Sequence, residues 1–255
     1  MIRVCIAGVT GWVGSPLATA IQESNDLELV AAVARRAAGE RVGDVVISGT
    51  VEEALRTPSE VFVDYTTASA VKGNVLAAID GGRHVIVGSS GLTDDDYAEI
   101  DSAARVKGVG VIAVGNFSIT AALLQRFAVD AAKYLRSWEI LDYAHAGKID
   151  APSGTAREIA WRLSEVRPDP LAVPLDQTVG ARESRGATIN GSQVHSVRLP
   201  GYTIGVEVRF GRDEDRLTMH YEGGTGAGPY IGGTLLAIRR VNEITGLARG
   251  LDRVL

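Results

Sequence analysis

The chain has one cysteine, four histidines and only four lysines among its 26 basic residues, and it contains no apolar run of bilayer-spanning length. A single thiol excludes an intrachain disulfide and a cysteine-built metal site, so Cys5, set in the apolar run Ile2-Arg3-Val4-Cys5-Ile6-Ala7, reads as a small buried hydrophobe. The histidines are dispersed and no His-Glu-x-x-His pattern occurs, so no metal is expected. A net charge of -5 argues against a general nucleic-acid surface while leaving room for a local basic pocket. The first strand begins at once, with no space for a charged leader and an apolar export stretch, and this together with the missing spanning run gives the expectation of a soluble, cytoplasmic protein without a membrane partner. Internal repeats and low-complexity tracts are also missing. Where lysine is this scarce, Lys148, placed in a weakly charged loop, draws attention.

The 45% hydrophobic and 22% charged composition is that of a globular chain, and 255 residues suffice for one large domain or two modest ones. Apolar strand patterns at 2–7, 27–34, 61–64, 84–87 and 109–114 alternate with helical patterns at 14–23, 51–56, 69–79 and one entered at Thr93 with Asp96 three residues on, which predicts a parallel sheet covered on both faces. From Gly115 the order changes. A helix over 119–134, a strand over 138–143, a helix from Gly154, and strands at 194–199, 204–210 and 216–221 that alternate in the manner of a half-buried antiparallel or mixed sheet, a kind that frequently makes a subunit interface, are followed by a last helix over 230–244. Residues 167–193 show no period and read as a long excursion or lid-like loop. The expected class is α/β: an N-terminal Rossmann-like parallel sheet (1–116 plus 229–255, the last helix returning to it) that binds a dinucleotide, and a second mixed α/β domain (117–228) for substrate and assembly.

Gly8, Gly11 and Gly14 follow the first strand and open a helix. In a dinucleotide site the first glycine allows the tight turn, the second lets a pyrophosphate approach the backbone and the third permits close helix packing. The alternative is a structural turn. The candidate cofactor residues here are Gly8, Thr10, Gly11, Trp12, Val13 and Gly14. The second strand ends Val33-Ala34-Arg35-Arg36, with no acid before Glu40 to hold an adenine ribose, and Arg35 and Arg36 favour the additional phosphate of NADPH over NADH unless they are merely a solvated surface pair.

In the stretch Lys148-Ile149-Asp150-Ala151-Pro152-Ser153-Gly154-Thr155 a lysine precedes donors at a helix start, which suits a small carboxylate. Lys148 can pair with the anion or donate to developing charge, Ser153 and Thr155 can hydrogen-bond its oxygens, and Gly154 keeps a backbone N–H accessible. A plain helix cap would use the same Ser153. Elsewhere, His84 reads as structural, Asp64 as orienting a loop or a ribose, and His195 and His220 as either reaching a cleft or lying at an interface.

This last string, with the glycine loop, Asp64-Tyr65-Thr66, Gly88-Ser89-Ser90-Gly91 and Gly115-Asn116-Phe117-Ser118, resembles the dihydrodipicolinate reductase family over essentially the full chain. The resemblance implies that Gly88, Ser89, Ser90, Asn116 and Phe117 line the nicotinamide and the domain cleft. It further implies that Lys148, Ser153, Gly154 and Thr155 bind the carboxylates of a cyclic imine, that NADH, NADPH or both serve as reductant, and that four copies join through the second sheet as a homotetramer. The implied reaction is reduction of 4-hydroxy-tetrahydrodipicolinate to tetrahydrodipicolinate in diaminopimelate and lysine biosynthesis.

The chain departs from the family pattern twice. Where the family has a His-His pair whose first member is the proposed proton donor, this chain has Ala144-His145, and strand alternation sends those two side chains to opposite faces. His145, Lys148 or water is then left to supply the proton, unless His145 is an interior polar residue. An arginine expected after His220 is replaced by Gly223-Gly224-Thr225-Gly226-Ala227-Gly228. Reduction of a different cyclic imino acid, or NADPH binding without catalysis, are the alternatives these departures raise.

Overall fold

Continuously apolar strands can only be buried on both faces, and the first sheet is built from them. The computed structural model describes residues 1–166 and 171–255. In chain order the first part comprises β1 (Ile2–Ala7), α1 (Gly14–Gln22), β2 (Leu27–Val33), β3 (Arg41–Val42), β4 (Val45–Ser48), α2 (Val51–Ala54), β5 (Val61–Asp64), α3 (Val71–Asp80), β6 (His84–Val87), α4 (Asp94–Lys107) and β7 (Gly110–Ala113). There follow α5 (Ile119–Ala132), β8 (Ser137–Ala144), α6 (Gly154–Ser164), β9 (Ala187–Ile189), β10 (Ser192–Arg198), β11 (Ile204–Gly211), β12 (Arg216–Gly223), α7 (Gly228–Arg240) and β13 (Gly246–Arg249). Contacts divide the chain into two units, Met1–Ile119 with Ala227–Leu255, and Thr120–Gly226.

The first unit carries an eight-stranded sheet in the order β13-β7-β6-β5-β1-β2-β4-β3, parallel throughout except for the β3–β4 pair, with helices packed on it: a Rossmann-like arrangement. Phe62, Val85 and Val111 on adjacent strands pack with Val75, Ile79 and Ile100 from α3 and α4. Local chemistry sets the helix ends. Thr93 and Asp96 cap α4 reciprocally, and Gly108 closes it in the left-handed conformation (φ 69°).

Two sequence expectations are corrected here. The sheet does not end with the 109–114 strand, because β13 adds a further parallel edge beside β7; four residues after a turn are too short to show a period. The last helix stops at Arg240 and passes into a 3-10 turn, Val241–Glu243, short of the expected residue 244. The short β3–β4 pair was also hidden by its length.

The second unit holds a mixed five-stranded sheet, β12-β11-β8-β10-β9, in which β8 and β10 are parallel and the other neighbours antiparallel. One face of β8 (Trp138, Ile140) joins Val206, Val208 and Phe210 of β11 and packs against Leu124 and Ala128 of α5 and Ile159 and Leu163 of α6. The expectation of a structureless 167–193 stretch is corrected from Leu175 onward, and 167–170 lie outside the described residues. Two short 3-10 turns, Leu175–Gln177 and Arg182–Arg185, precede β9, which pairs with β10 through the two-residue turn Asn190-Gly191. Both turn residues have positive φ, 47° and 79°. Asn-Gly between short strands is a strong local hairpin signal, and it was there to be read.

Gly233 of α7 illustrates how close packing limits sequence in the first unit. A Cβ there would lie 1.9 Å from the carbonyl oxygen of Phe117, whereas at Gly232 the nearest atom, Ile119 Cδ1, is 3.8 Å away. Alanine normally stabilises a helix by about 1 kcal/mol over glycine. Thermal unfolding of Gly232→Ala should therefore show an unchanged or raised midpoint, and Gly233→Ala a clearly lowered one; equal midpoints would contradict the packing.

Candidate active site

The glycine loop leaves β1 beside the end of β2, where the N–H groups of Gly8 and Val9 both donate to the carbonyl of Val33 (2.9 and 3.2 Å). Gly8 has φ 84° and its Cβ position would fall 2.2 Å from the Tyr65 carbonyl oxygen, while a Cβ on Gly14 would meet the Gly8 oxygen at 2.1 Å. Both glycines are thus required by the chain itself. The backbone N–H groups of Thr10, Trp12 and Val13 find no acceptor among the described residues, and they precede the positive end of α1. Free donors at the N-terminus of a helix after a strand are what a pyrophosphate needs, so these residues fit a dinucleotide. Trp12 is 57% exposed and meets the Tyr230 ring edge-on at 5.4 Å. Arg35 and Arg36, in a 3-10 turn directly after β2, are exposed and make no ion pair among the described residues.

Beside this loop, at the end of β5, the buried carboxylate of Asp64 collects the neighbouring turns. Its Oδ1 accepts from Thr66 N (3.0 Å), Thr66 Oγ1 (2.8 Å) and Ser89 Oγ (2.6 Å), and its Oδ2 from Asn74 Nδ2 (2.8 Å). Asp64 is therefore a loop organiser. Ser89 is held by it, Ser90 is exposed, and Gly88 lies so close over Tyr65 that a Cβ would come within 2.1 Å of the ring. Tyr65 in turn meets Phe117 edge-on (5.9 Å) and bonds Thr234 through its hydroxyl (2.7 Å), burial pushing that hydroxyl above the ordinary phenol range. Asn116 is buried and its Oδ1 accepts from Ser118 N (2.9 Å). The glycine loop, the Thr66 turn, the Gly88–Ser90 turn and the Asn116-Phe117 segment thus all belong to one unit.

His84 accepts the Gly110 N–H on Nδ1 (2.9 Å), a structural contact, and burial lowers its pKa. Burial likewise pushes the Cys5 thiol up to about 12, which leaves it unreactive.

In the second unit, β8 delivers Asp142 and Ala144 to the buried side, and the chain then turns through His145 to Ser153. Ala144 is fully buried. His145 lies beyond the strand and is exposed, which corrects its reading as an interior polar residue. Lys148 Nζ pairs with Asp150 Oδ1 at 2.7 Å, and Arg157 stands 3.8 Å from the other oxygen. Burial alone would raise the Asp150 carboxyl, but the two cations hold it below the ordinary carboxylate range. Ser153 caps α6, its Oγ accepting from Ala156 N (3.3 Å), and Thr155 is buried in the first turn. Ser153 Oγ therefore serves the helix, as the simpler reading had it, while Gly154 is partly accessible beside it.

Two residues that sequence reasoning passed over hold this segment. Asp142 Oδ2 accepts from Ser153 N (2.9 Å), Ser196 Oγ (3.1 Å) and Arg198 Nη2 (2.8 Å), and the same Nη2 donates to the Asp150 carbonyl (2.8 Å). No local signal marks this pair; only an aspartate facing the apolar side of an alternating strand hints at it. His195 bonds Glu139 (2.9 Å), and His220 stands 3.4 Å from Glu207, so both sit in ion-pair clusters of the sheet.

With this geometry in hand, the chain can be set beside known proteins. Two family models, "Dihydrodipicolinate reductase, N-terminus" and "Dihydrodipicolinate reductase, C-terminus", match residues 2–117 and 120–255. The chain belongs to the dihydrodipicolinate reductase family. It is an NAD(P)-binding oxidoreductase of that family. It is 36% identical to the 4-hydroxy-tetrahydrodipicolinate reductase of Halalkalibacterium halodurans over 264 residues, with all of both chains covered. It is 37% identical to that of Streptomyces avermitilis over 257 residues, covering 100% of this chain and 98% of the relative. The dipicolinate-bound dihydrodipicolinate reductase of Paenisporosarcina sp. TG-14 superimposes with a TM-score of 0.83 at 29% identity, with both chains fully covered. A more distant likeness, to GenD2 from gentamicin A biosynthesis (15% identity, TM-score 0.67, covering 99% of this chain and 90% of that one), concerns the fold alone. Among the described residues no helix is long and apolar enough to cross a membrane.

Removing the Asp64 carboxylate strands the donors of Thr66, Asn74 and Ser89. Asp64→Ala should lower stability by about 3 kcal/mol, since hydrogen bonds to charged groups are worth roughly 1.5–3 kcal/mol each and the deletion is partly relieved by water. It should also weaken NAD(P)H binding in a fluorescence titration; wild-type affinity would show that the carboxylate does not shape the cofactor loops.

Proposed function

We propose that this chain reduces 4-hydroxy-tetrahydrodipicolinate to tetrahydrodipicolinate in diaminopimelate and lysine biosynthesis, with a preference for NADPH. The observation that carries the reading is Lys148, paired with Asp150 in the loop that leads into α6, in a chain whose other unit offers backbone donors after β1 that find no acceptor among the described residues. Gly8, Thr10, Gly11, Trp12, Val13 and Gly14 would hold the pyrophosphate, Gly88, Ser89, Ser90, Asn116 and Phe117 the nicotinamide end, and the exposed Arg35 and Arg36 the additional phosphate. When bound, the reduced nicotinamide supplies a hydride; overall, substrate, NADPH and a proton yield product, NADP and water.

The chain's own residues do the rest. Lys148 neutralises one substrate carboxylate, leaving Asp150 to Arg157, and the N–H groups of Gly154 and Thr155 take the remaining oxygens at the positive end of α6. Fixing the ring by its carboxylates sets the electrophilic carbon in place for the hydride. His145 is exposed on the same loop as Lys148, and we assign the proton to it. Assembly as a homotetramer is supported by the sheet face turned away from α5 and α6. That face carries Tyr143, stacked on Tyr202 (5.1 Å), and the nearly buried Glu207 with its partner Arg209, a surface already ordered for contact with a second copy.

Three outcomes test this reading. NADPH should be oxidised only when freshly made 4-hydroxy-tetrahydrodipicolinate is present; no turnover at micromolar enzyme, with tight NADPH binding, would reject it. Lys148→Met should raise KM or lower turnover at least about tenfold while leaving NADPH affinity near normal, and equal loss of both would reject the role of Lys148. Arg35→Asp should shift preference toward NADH, an unchanged cofactor ratio being the contrary result.

A further inference from the structure

In the loop between β8 and α6, Ala146, Ile149 and Ala151 are exposed and only Pro152 is half-buried. Ile149 at its centre is 100% exposed, so the position of Lys148 depends on polar contacts. Beyond the Lys148–Asp150 pair, Arg157 at 3.8 Å from the same carboxylate and a turn bond from Lys148 N to the His145 carbonyl (3.0 Å), the loop is held by Asp142 and Arg198. The Asp142 carboxylate takes the N–H of Ser153, and the Arg198 guanidinium takes the carbonyl of Asp150. The loop is thus gripped on both sides of Ala151-Pro152, between the lysine and the donors of the helix.

Backbone pairing registers the two strands. The β8–β10 ladder runs unbroken from Glu139–Gln193 to Ala144–Arg198. Arg198 has no free hand for a ligand. Its Nη1 donates to the carbonyls of Asp142 (3.2 Å) and Val197 (3.0 Å) and its Nη2 to Asp142 Oδ2 and the Asp150 carbonyl, while its Nε has no hydrogen-bond partner among the described residues but is buried. We propose that Arg198 and Asp142 are positioning residues that set the spacing between Lys148 and the α6 donors, and through that spacing the enzyme's fit to two carboxylates on one ring. A guanidinium suits this because its planar fork reaches the Asp142 carboxylate and the Asp150 carbonyl together; an ammonium is a point charge without that fork.

The inference rests on the proposed reaction and is tested in the full-length protein with Arg198→Lys. Dipicolinate affinity, measured by calorimetry with NADPH present, should fall about tenfold and KM rise to match, while NADPH affinity stays within about twofold; a displacement of 1 Å can cost roughly a hundredfold in turnover. Because Arg198 acts through Lys148, the double variant with Lys148→Met should lose little beyond Lys148→Met alone, whereas a merely structural role gives additive losses. Wild-type KM and dipicolinate affinity in Arg198→Lys, or full additivity, would overturn the proposal. Should Arg198→Lys fail to fold, Ser196→Ala removes a partly redundant bond to the same carboxylate and should raise KM about two- to threefold; no change there would overturn it equally. A wild-type protein that neither binds dipicolinate nor turns over would instead overturn the reaction itself, and the positioning role with it.

Discussion

A carboxylate with no access to water, Asp142, lies near the end of the central strand of the second sheet, and the arrangement of the substrate loop follows from it. Burying such a charge is costly, and stripping one partner from a buried pair costs about 3–5 kcal/mol, so whatever donates to it is held firmly. Here the donors are the first residue before α6, a side chain of β10 and the guanidinium of Arg198. A strand, a neighbouring strand and a helix cap are therefore joined at one oxygen. The loop between them inherits their rigidity although its own apolar residue faces solvent.

The first unit solves its problem in the same way. Asp64, also at a strand end and also without solvent access, draws in the turns at Thr66 and Ser89 and the side chain of Asn74. Strand termini in an α/β sheet are where ligands gather, and loops there must be both polar and ordered. A buried acid that draws several donors provides order without filling the site with apolar bulk, although at Asp142 all of them meet Oδ2 and the buried Oδ1 has no partner among the described residues. The difference lies in what each carboxylate presents: around Asp64 neutral hydroxyls and amides, around Asp142 a cation that also reaches the loop backbone.

Much of this was legible in the residues. Alternating apolar strands and helices disclosed the parallel sheet, and the spacing of Gly8, Gly11 and Gly14 disclosed the turn that φ 84° at Gly8 and the crowding at Gly14 require. Thr93 with Asp96, and Ser153 before Gly154, marked helix starts that the capping bonds bear out. What escaped was either too short to show a period, as with β3, β4 and β13, or carried by one dipeptide, as with Asn190-Gly191. The Asp142–Arg198 pair escaped for a different reason. Its members stand 56 residues apart, and a strand aspartate reads as a solvent-facing residue until the fold shows which face it is on. His145 illustrates the converse: its exposure depends on where β8 ends, one residue before it.

The pairing of Lys148 with Asp150 makes the central claim directly observable, because a lysine that binds substrate must exchange one carboxylate for another. A crystal structure with NADPH and dipicolinate is the decisive measurement. The account predicts Lys148 Nζ about 3 Å from a dipicolinate oxygen, a hydrogen-bonded distance, with the Arg198–Asp150 and Asp142–Ser153 bonds unchanged. Dipicolinate bound elsewhere, with Lys148 still on Asp150, would contradict it.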